Sequence, residues 1–425
     1  MPRPLRFRPP ALALSPEVRW MLLRAFGPAG APFSNGDGAC DGAFDGVTAL
    51  ALARRFEVSA RIAVRQGREG LARELGGEVA AAFAHDRARA AAAGLRLMEE
   101  VRRVAGVAAA LGVPLACLKF AALEGMGVLA AGSRGACDVD LLAPAERAGE
   151  LWRALVAAGF RGSGLPEAEH QLPALAGPQG GVVEIHRHLP GVRLDGGAAA
   201  TFAALDEAGL LRPLPDLPGC VAPAPEVLAA HVLVHGLGQH GYWPGSYSLL
   251  KMVGDLIDLE EKGPKGLQGL QGQEQQGQKK PGVPAVPAVP EVPGWSAWIY
   301  RDVTPAETAA ACGLTRRLAA GEDLADWPPG PEEELLRHIL AGRLDPAYAD
   351  ALRLGLFRPQ PSERSRPVQL ARALLGALFL TDAQIAAVYG APRSRLGLLG
   401  RRLARPFDLL LRLGSYGARW LRLRR

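Results

Sequence analysis

The 425-residue chain has five cysteines (Cys40, Cys117, Cys137, Cys220, Cys312), an odd and widely spaced set with no C-x-x-C pair. That argues against a disulfide framework and against a cysteine-based zinc site, and it fits a reducing compartment. An uninterrupted apolar run of the roughly 18–20 residues a membrane span needs is also missing. The best candidate, Leu370 to Tyr389, is broken by Arg372, Thr381, Asp382 and Gln384. The apolar part of the N-terminus, Ala11 to Leu14, is shorter than the roughly 7–15-residue core of a signal peptide. A soluble, cytoplasmic protein is the expectation. Aromatic residues make up 6% and charged residues 22%, against 48% hydrophobic, so the chain is globular. Its length allows a sizeable core and more than one unit.

Lysine is the scarcest cation. Of 49 basic residues only Lys119, Lys251, Lys262, Lys265, Lys279 and Lys280 are lysine, and four of these six fall in one low-complexity stretch. A compact ammonium is not interchangeable with a guanidinium fork, so Lys119 and Lys251 draw notice. The net charge of +6 is uneven: Arg393–Arg425 holds ten arginines against Asp408 alone, which leaves the remainder at −3. A body without a basic channel makes nucleic acid an unfavoured partner. The tail interleaves leucines with its arginines, as in Leu396, Leu399 and Leu403. Two readings stay open for it: a helix packed by its leucines with arginines outward, or an amphipathic element that touches an acidic partner or a membrane surface.

The residue pattern divides the chain into an N-terminal helical segment (1–111), an α/β core (112–215) and a C-terminal helical domain (216–261 plus 295–392). A Gly/Gln/Pro-rich insertion (262–294) and the basic amphipathic tail (393–425) complete it. The insertion carries prolines 281, 284, 287, 290 and 293, the three-residue period of polyproline II, and no aromatic residue to bury; an extended or disordered segment is expected. In the N-terminal segment, Leu97, Val101, Val104, Ala108 and Leu111 recur at helical spacing within a helix over Leu71–Leu111. The core alternates strand and helix: strand Val113–Lys119, helix Ala121–Ala130, strand Cys137–Leu142, helix Pro144–Ala158, and a strand over Val182–Leu189. Helices are expected again at Glu226–Leu237, Ser246–Glu261, Pro305–Ala320, Pro331–Ala341 and Val368–Tyr389.

One segment carries chemistry: Arg134-Gly-Ala-Cys-Asp138-Val-Asp140-Leu-Leu142. Side chains two apart on a strand face the same way, so Asp138 and Asp140 project together while Val139 and Leu141 enter the core. Such a pair is relieved by a divalent cation, and an all-oxygen ligand set favours Mg²⁺ or Mn²⁺. Glu184, on the strand Val-Val-Glu-Ile-His-Arg-His-Leu, supplies a third carboxylate on the face it shares with His186 and His188. Lys119 ends a strand, and Arg134 offers a fork for phosphate. A zinc site built on His231, His235 and His240 lacks the glutamate of a zincin, so these histidines, with His186 and His188, are read as supporting or core residues.

The ordered set resembles the bacterial nucleotidyltransferase family, within the DNA polymerase β-like superfamily. The pieces are Leu118-Lys119-Phe120-Ala121-Ala122-Leu123, Arg134 to Leu142, Val183-Glu184-Ile185-His186, and a downstream helical match from Pro225 through His231 and His235 to Asp255-Leu256. The resemblance implies an α+β or α/β fold, a polymerase β-like core with a small mixed sheet, flanked by N- and C-terminal helical segments. It implies transfer of a nucleoside monophosphate from an NTP to an acceptor, which would be a small molecule, peptide or protein. Asp138, Asp140 and Glu184 would be the catalytic, metal-binding carboxylates for Mg²⁺ or Mn²⁺, and Lys119 and Arg134 would contact the nucleotide or the acceptor. Phe120 stands where the family carries a glycine that lets backbone approach phosphate. This implies a narrowed nucleotide site and keeps a second reading in view, a catalytically impaired binding or scaffold protein on the same fold.

Overall fold

The computed structural model describes residues 14–31, 33, 44–163, 168–194, 197–240, 248–262, 299, 303–324, 327–344, 394, 396–397 and 399–407. Contacts divide the chain into a larger unit, Ala13–Gln239 with Ser248–Leu335, and a smaller one, Met1–Leu12, His240–Tyr247 and Leu336–Arg425.

Helix α1 (Pro16–Phe26) starts where Ser15 accepts a hydrogen bond from the Val18 amide and Pro16 occupies the first turn, where its missing N–H loses nothing. Its large apolar side chains are turned inward: Trp20, Met21 and Phe26 are at most 1% exposed. Asp45 caps α2 (Gly46–Arg55) through the amides of Val47 and Thr48. The periodic stretch expected as one helix from Leu71 is broken at Gly76, which takes φ +84 between α3 (Ser59–Leu75) and α4 (Gly77–Leu111). That conformation is cheap for glycine alone. The helix α4 then runs to Gly112, whose left-handed φ of +63 ends it as the sequence leads one to expect.

The α/β part is a seven-stranded mixed sheet in the order β3-β4-β5-β2-β1-β9-β8. The strands are β1 (Leu115–Cys117), β2 (Asp138–Leu142), β3 (Arg161–Gly162), β4 (Leu175–Ala176), β5 (Val182–His186), β8 (Leu211–Pro213) and β9 (Cys220–Pro223). Strand β2 lies at the centre, antiparallel to β1 and parallel to β5. The expected mixed α+β fold is thus present. The sheet continues past residue 215, because β9 pairs in parallel with β1 (Leu115 opposite Cys220). Helices α5 (Lys119–Gly125), α6 (Ala145–Ala157) and α7 (Phe202–Glu207) fill the connections. Helix α5 is shorter than the expected Ala121–Ala130 and begins at the lysine itself.

Val182–Leu189 was expected as one strand, and the structure splits it. Strand β5 stops at His186, opposite Leu142, the last residue of its partner β2. With no ladder left to extend, the chain leaves the sheet and starts β6 (His188–Arg193), which pairs with β7 (Ala199–Thr201) in a separate two-stranded sheet. His188 therefore does not share a sheet face with Glu184.

Beyond the sheet, α8 (Pro225–Leu233) passes into a π-helical turn over Val234–His240. There follow α9 (Leu249–Lys262), α10 (Pro305–Ala320), with a reciprocal Thr304–Glu307 capping box, and α11 (Pro331–Leu344). The expected extended segment 262–294 beyond Lys262, the helix Val368–Tyr389 and most of the basic tail lie outside the described residues. Among the described residues, no helix is long and apolar enough to cross a membrane.

Candidate active site

The site is built on two parallel strands in one register. Asp138, Asp140 and Leu142 of β2 stand opposite Val182, Glu184 and His186 of β5. Strand alternation sends Val139, Leu141, Val183 and Ile185 into the core, each at most 1% exposed. Asp138, Asp140, Glu184 and His186 share the other face. One ligand atom each from Asp140, Glu184 and His186 lies within 4.8 Å of the others. Glu184 lies with Asp140, and His186 joins them. Asp138 sits half-buried at the start of β2, two residues before Asp140 and outside that three-residue group.

Lys119 comes to this face from β1. The Leu118 amide donates to the Asp140 carbonyl at 2.9 Å, which ties the end of β1 to the middle of β2. The next residue, Lys119, takes φ +44, a left-handed conformation that costs a non-glycine residue about 1–3 kcal/mol. Its ammonium donates to Asp140 Oδ1 at 2.7 Å, and both side chains are buried. The positive φ thus falls one residue before Phe120. Phe120 then turns away: its ring packs against Gly94 of α4, close enough that a Cβ there would meet it at 3.1 Å. The Arg134 guanidinium lies 5.9 Å from the centre of the same ring.

Charge is unequally matched across this face. Burial alone would raise Asp140, but the Lys119 charge and the His186 hydrogen bond outweigh it and hold this carboxyl well below its usual range. Its neighbours are driven the other way. Burial, then the Asp140 charge, pushes Glu184 up to about 7, and the same two causes raise Asp138. His186 Nε2 lies 3.0 Å from Asp140 Oδ1 and 3.8 Å from Glu184 Oε2. Burial lowers the pKa of its ring, so the imidazole is neutral and donates through Nε2 to the ionised Asp140. Its Nδ1 is buried with no partner. Behind it, His231 of α8 is wholly buried with both ring nitrogens unpartnered, and burial drives its pKa well below the ordinary value.

Arg134 is held by the helical part: its Nε donates to both Asp255 oxygens on α9, at 2.7 and 3.0 Å. The second notable lysine is here too. Lys251 of α9 forms an ion pair with Glu57, and its charge, with those of Lys119 and Arg134, lowers Asp138 against the effect of burial. Glu57 and Lys119 are the two non-glycine residues with positive φ among those described. Sequence reasoning passed over His186 as a ligand and over Lys251 and Asp255 as neighbours of the site. The strand parity of His186 with Glu184 and the scarcity of lysine were the signals that pointed to the first two.

The model of the uncharacterised nucleotidyltransferase family matches residues 43–256, half of the chain. The matched span runs from the segment before α2 to α9 and contains Lys119, Arg134, Asp138, Asp140, Glu184, His186, Lys251 and Asp255. The chain belongs to this nucleotidyltransferase family. No curated protein and no solved structure gives a significant match.

Proposed function

We propose that the protein is a metal-dependent enzyme that moves a nucleoside monophosphate from an NTP to an acceptor oxygen. The observation that carries this is the convergence of Asp140, Glu184 and His186 on the sheet of a nucleotidyltransferase-family chain. Asp140 and Glu184, with Asp138 beside them, would hold a divalent cation. The carboxylates suit Mg²⁺ or Mn²⁺. The Lys119 ammonium on Asp140 would have to give up one oxygen of this carboxylate for a cation to use it. When bound, such a cation neutralises charge on the phosphates and on the departing pyrophosphate.

This chain's residues divide the remaining work. His186 orients Asp140 through its Nε2 hydrogen bond. Lys119 meets a nucleotide phosphate, exchanging one anionic partner for another. Arg134, seated between Asp255 and the Phe120 ring, presents its guanidinium toward the same nucleotide. In the overall reaction the acceptor oxygen bonds to the α-phosphorus and the bond to the bridging oxygen breaks. Pyrophosphate leaves with that electron pair, and the acceptor proton is released to solvent.

The rival reading is a binding or scaffold protein in which Lys119 permanently takes the place of the metal. The Lys119–Asp140 pair is what favours it. Equilibrium binding of a non-hydrolysable NTP analogue with and without Mn²⁺ separates the two. The enzyme reading requires Mn²⁺-dependent binding that weakens at least about tenfold in Asp140→Asn and in Glu184→Gln. Binding that ignores both metal and substitutions favours the scaffold.

A further inference from the structure

The helical stretch 399–407 inverts the usual arrangement of a surface helix. Leu399, Leu403 and Phe407 recur every fourth residue and so line one face. They are 53%, 66% and 70% exposed, and Leu396, one turn earlier on the same side, is 80% exposed. Arg405, on the opposite side, is 3% exposed. Of the two readings the sequence left open, a helix packed by its leucines with arginines outward does not describe these residues. Single exposed leucines are ordinary, but a contiguous stripe of four large apolar side chains marks an interaction surface.

We propose that this stripe is a membrane-docking element and that its partner is a bilayer surface bearing anionic headgroups. Two features select that partner. The stripe is narrow, about 12 Å from Leu399 to Phe407 at 1.5 Å per residue, and it faces solvent as bare hydrocarbon, which suits insertion among acyl chains. The segment that bears it, Arg393–Arg425, carries ten arginines and one acid, a charge excess that anionic lipid phosphates complement. Nucleic acid would use the arginines and leave the leucines in water. A lipid interface takes both, with the apolar face below the headgroups and the guanidinium groups at their level. The inference stands on the tail alone and is independent of the chemistry proposed for the sheet.

Cosedimentation of the full-length protein with vesicles tests it. The probes are phosphatidylcholine vesicles with and without about one quarter phosphatidylglycerol, in roughly 0.1 M salt. Binding to the anionic vesicles, weakened as salt rises and absent on neutral ones, is expected. Leu399→Asp with Leu403→Asp should reduce binding at least about tenfold with an unchanged thermal melt, as exposed positions permit. In a Phe407→Trp variant the emission should shift to the blue on anionic vesicles, which reports insertion directly. Equal binding to neutral vesicles, no binding to either, or undiminished binding by the double Asp variant overturns the proposal. It is equally overturned if the protein ignores vesicles while retaining duplex DNA, or while dimerising through the stripe in sedimentation velocity.

Discussion

Two sets of buried charge lie in the larger unit, and they are balanced differently. On α9, each of the two buried acids has a guanidinium of its own. Asp258 is held by two Arg61 nitrogens at 2.5 and 3.1 Å, while the Arg61 Nε also donates to the Ala25 carbonyl at 2.8 Å. Asp255 is held by Arg134. On the sheet, three carboxylates face one close ammonium, Lys119, and a neutral imidazole. The α9 pairs have the geometry of structure, a fork closed on each carboxylate. The negative charge on the sheet is less evenly met, and it shows in Glu184, raised to about 7 by burial and by Asp140. Matched buried charge holds elements together; the less evenly matched carboxylates on the sheet are the ones proposed to hold a cation.

The largest effect should come from breaking the matched set. Arg61→Ala leaves Asp258 buried without its counter-ion and is expected to cost about 3–5 kcal/mol in denaturant unfolding, with no recovery on adding Mn²⁺. Asp140→Asn should cost less, about 1–3 kcal/mol, because Asp138 and Glu184 remain to face the Lys119 ammonium. It should nevertheless remove metal-dependent nucleotide binding, measured by titration calorimetry. An equal stability loss in the two variants would erase the distinction between the sets.

Lys119→Met is expected to weaken binding of an NTP analogue about tenfold, through loss of one charge-assisted phosphate contact. Unchanged affinity would return Lys119 to a structural role. The smallest effect concerns pH. Glu184 has its folded-state pKa raised from 4.5 to about 7, so the native protein binds the extra proton and is favoured where that proton is present. Metal-free stability should therefore fall as pH rises from about 4.5 through about 7. Glu184→Gln should flatten that slope in melts taken across the range. A slope that survives the substitution assigns it to another group.

Much of this was legible in the sequence because it rests on short-range rules. Strand alternation put Asp138 and Asp140 on one face, and the same rule applied to β5 put Glu184 and His186 together. Glycine and proline marked the ends of α4, α8 and α10. The unread part depends on partners far along the chain. Nothing near Arg134 announces Asp255, 121 residues on, and nothing in Phe120 tells that its ring turns to Gly94. Strand β6 could not be separated from β5 by alternation, because the break is set by where β2 runs out. The inverted exposure of 399–407 was equally hidden, since leucine and arginine spacing is the same whichever face is covered.

The most direct test of the central claim, that the unmatched carboxylates hold a divalent cation, is a Mn²⁺ titration followed by electron paramagnetic resonance on the wild-type protein, Asp140→Asn, Glu184→Gln and Asp255→Asn. Saturable binding is expected in the wild type, weakened at least about tenfold in the two sheet variants and retained in Asp255→Asn, whose carboxylate belongs to the matched set. Wild-type protein that leaves the free Mn²⁺ signal undiminished, or sheet variants that bind as well as wild type, would contradict the account.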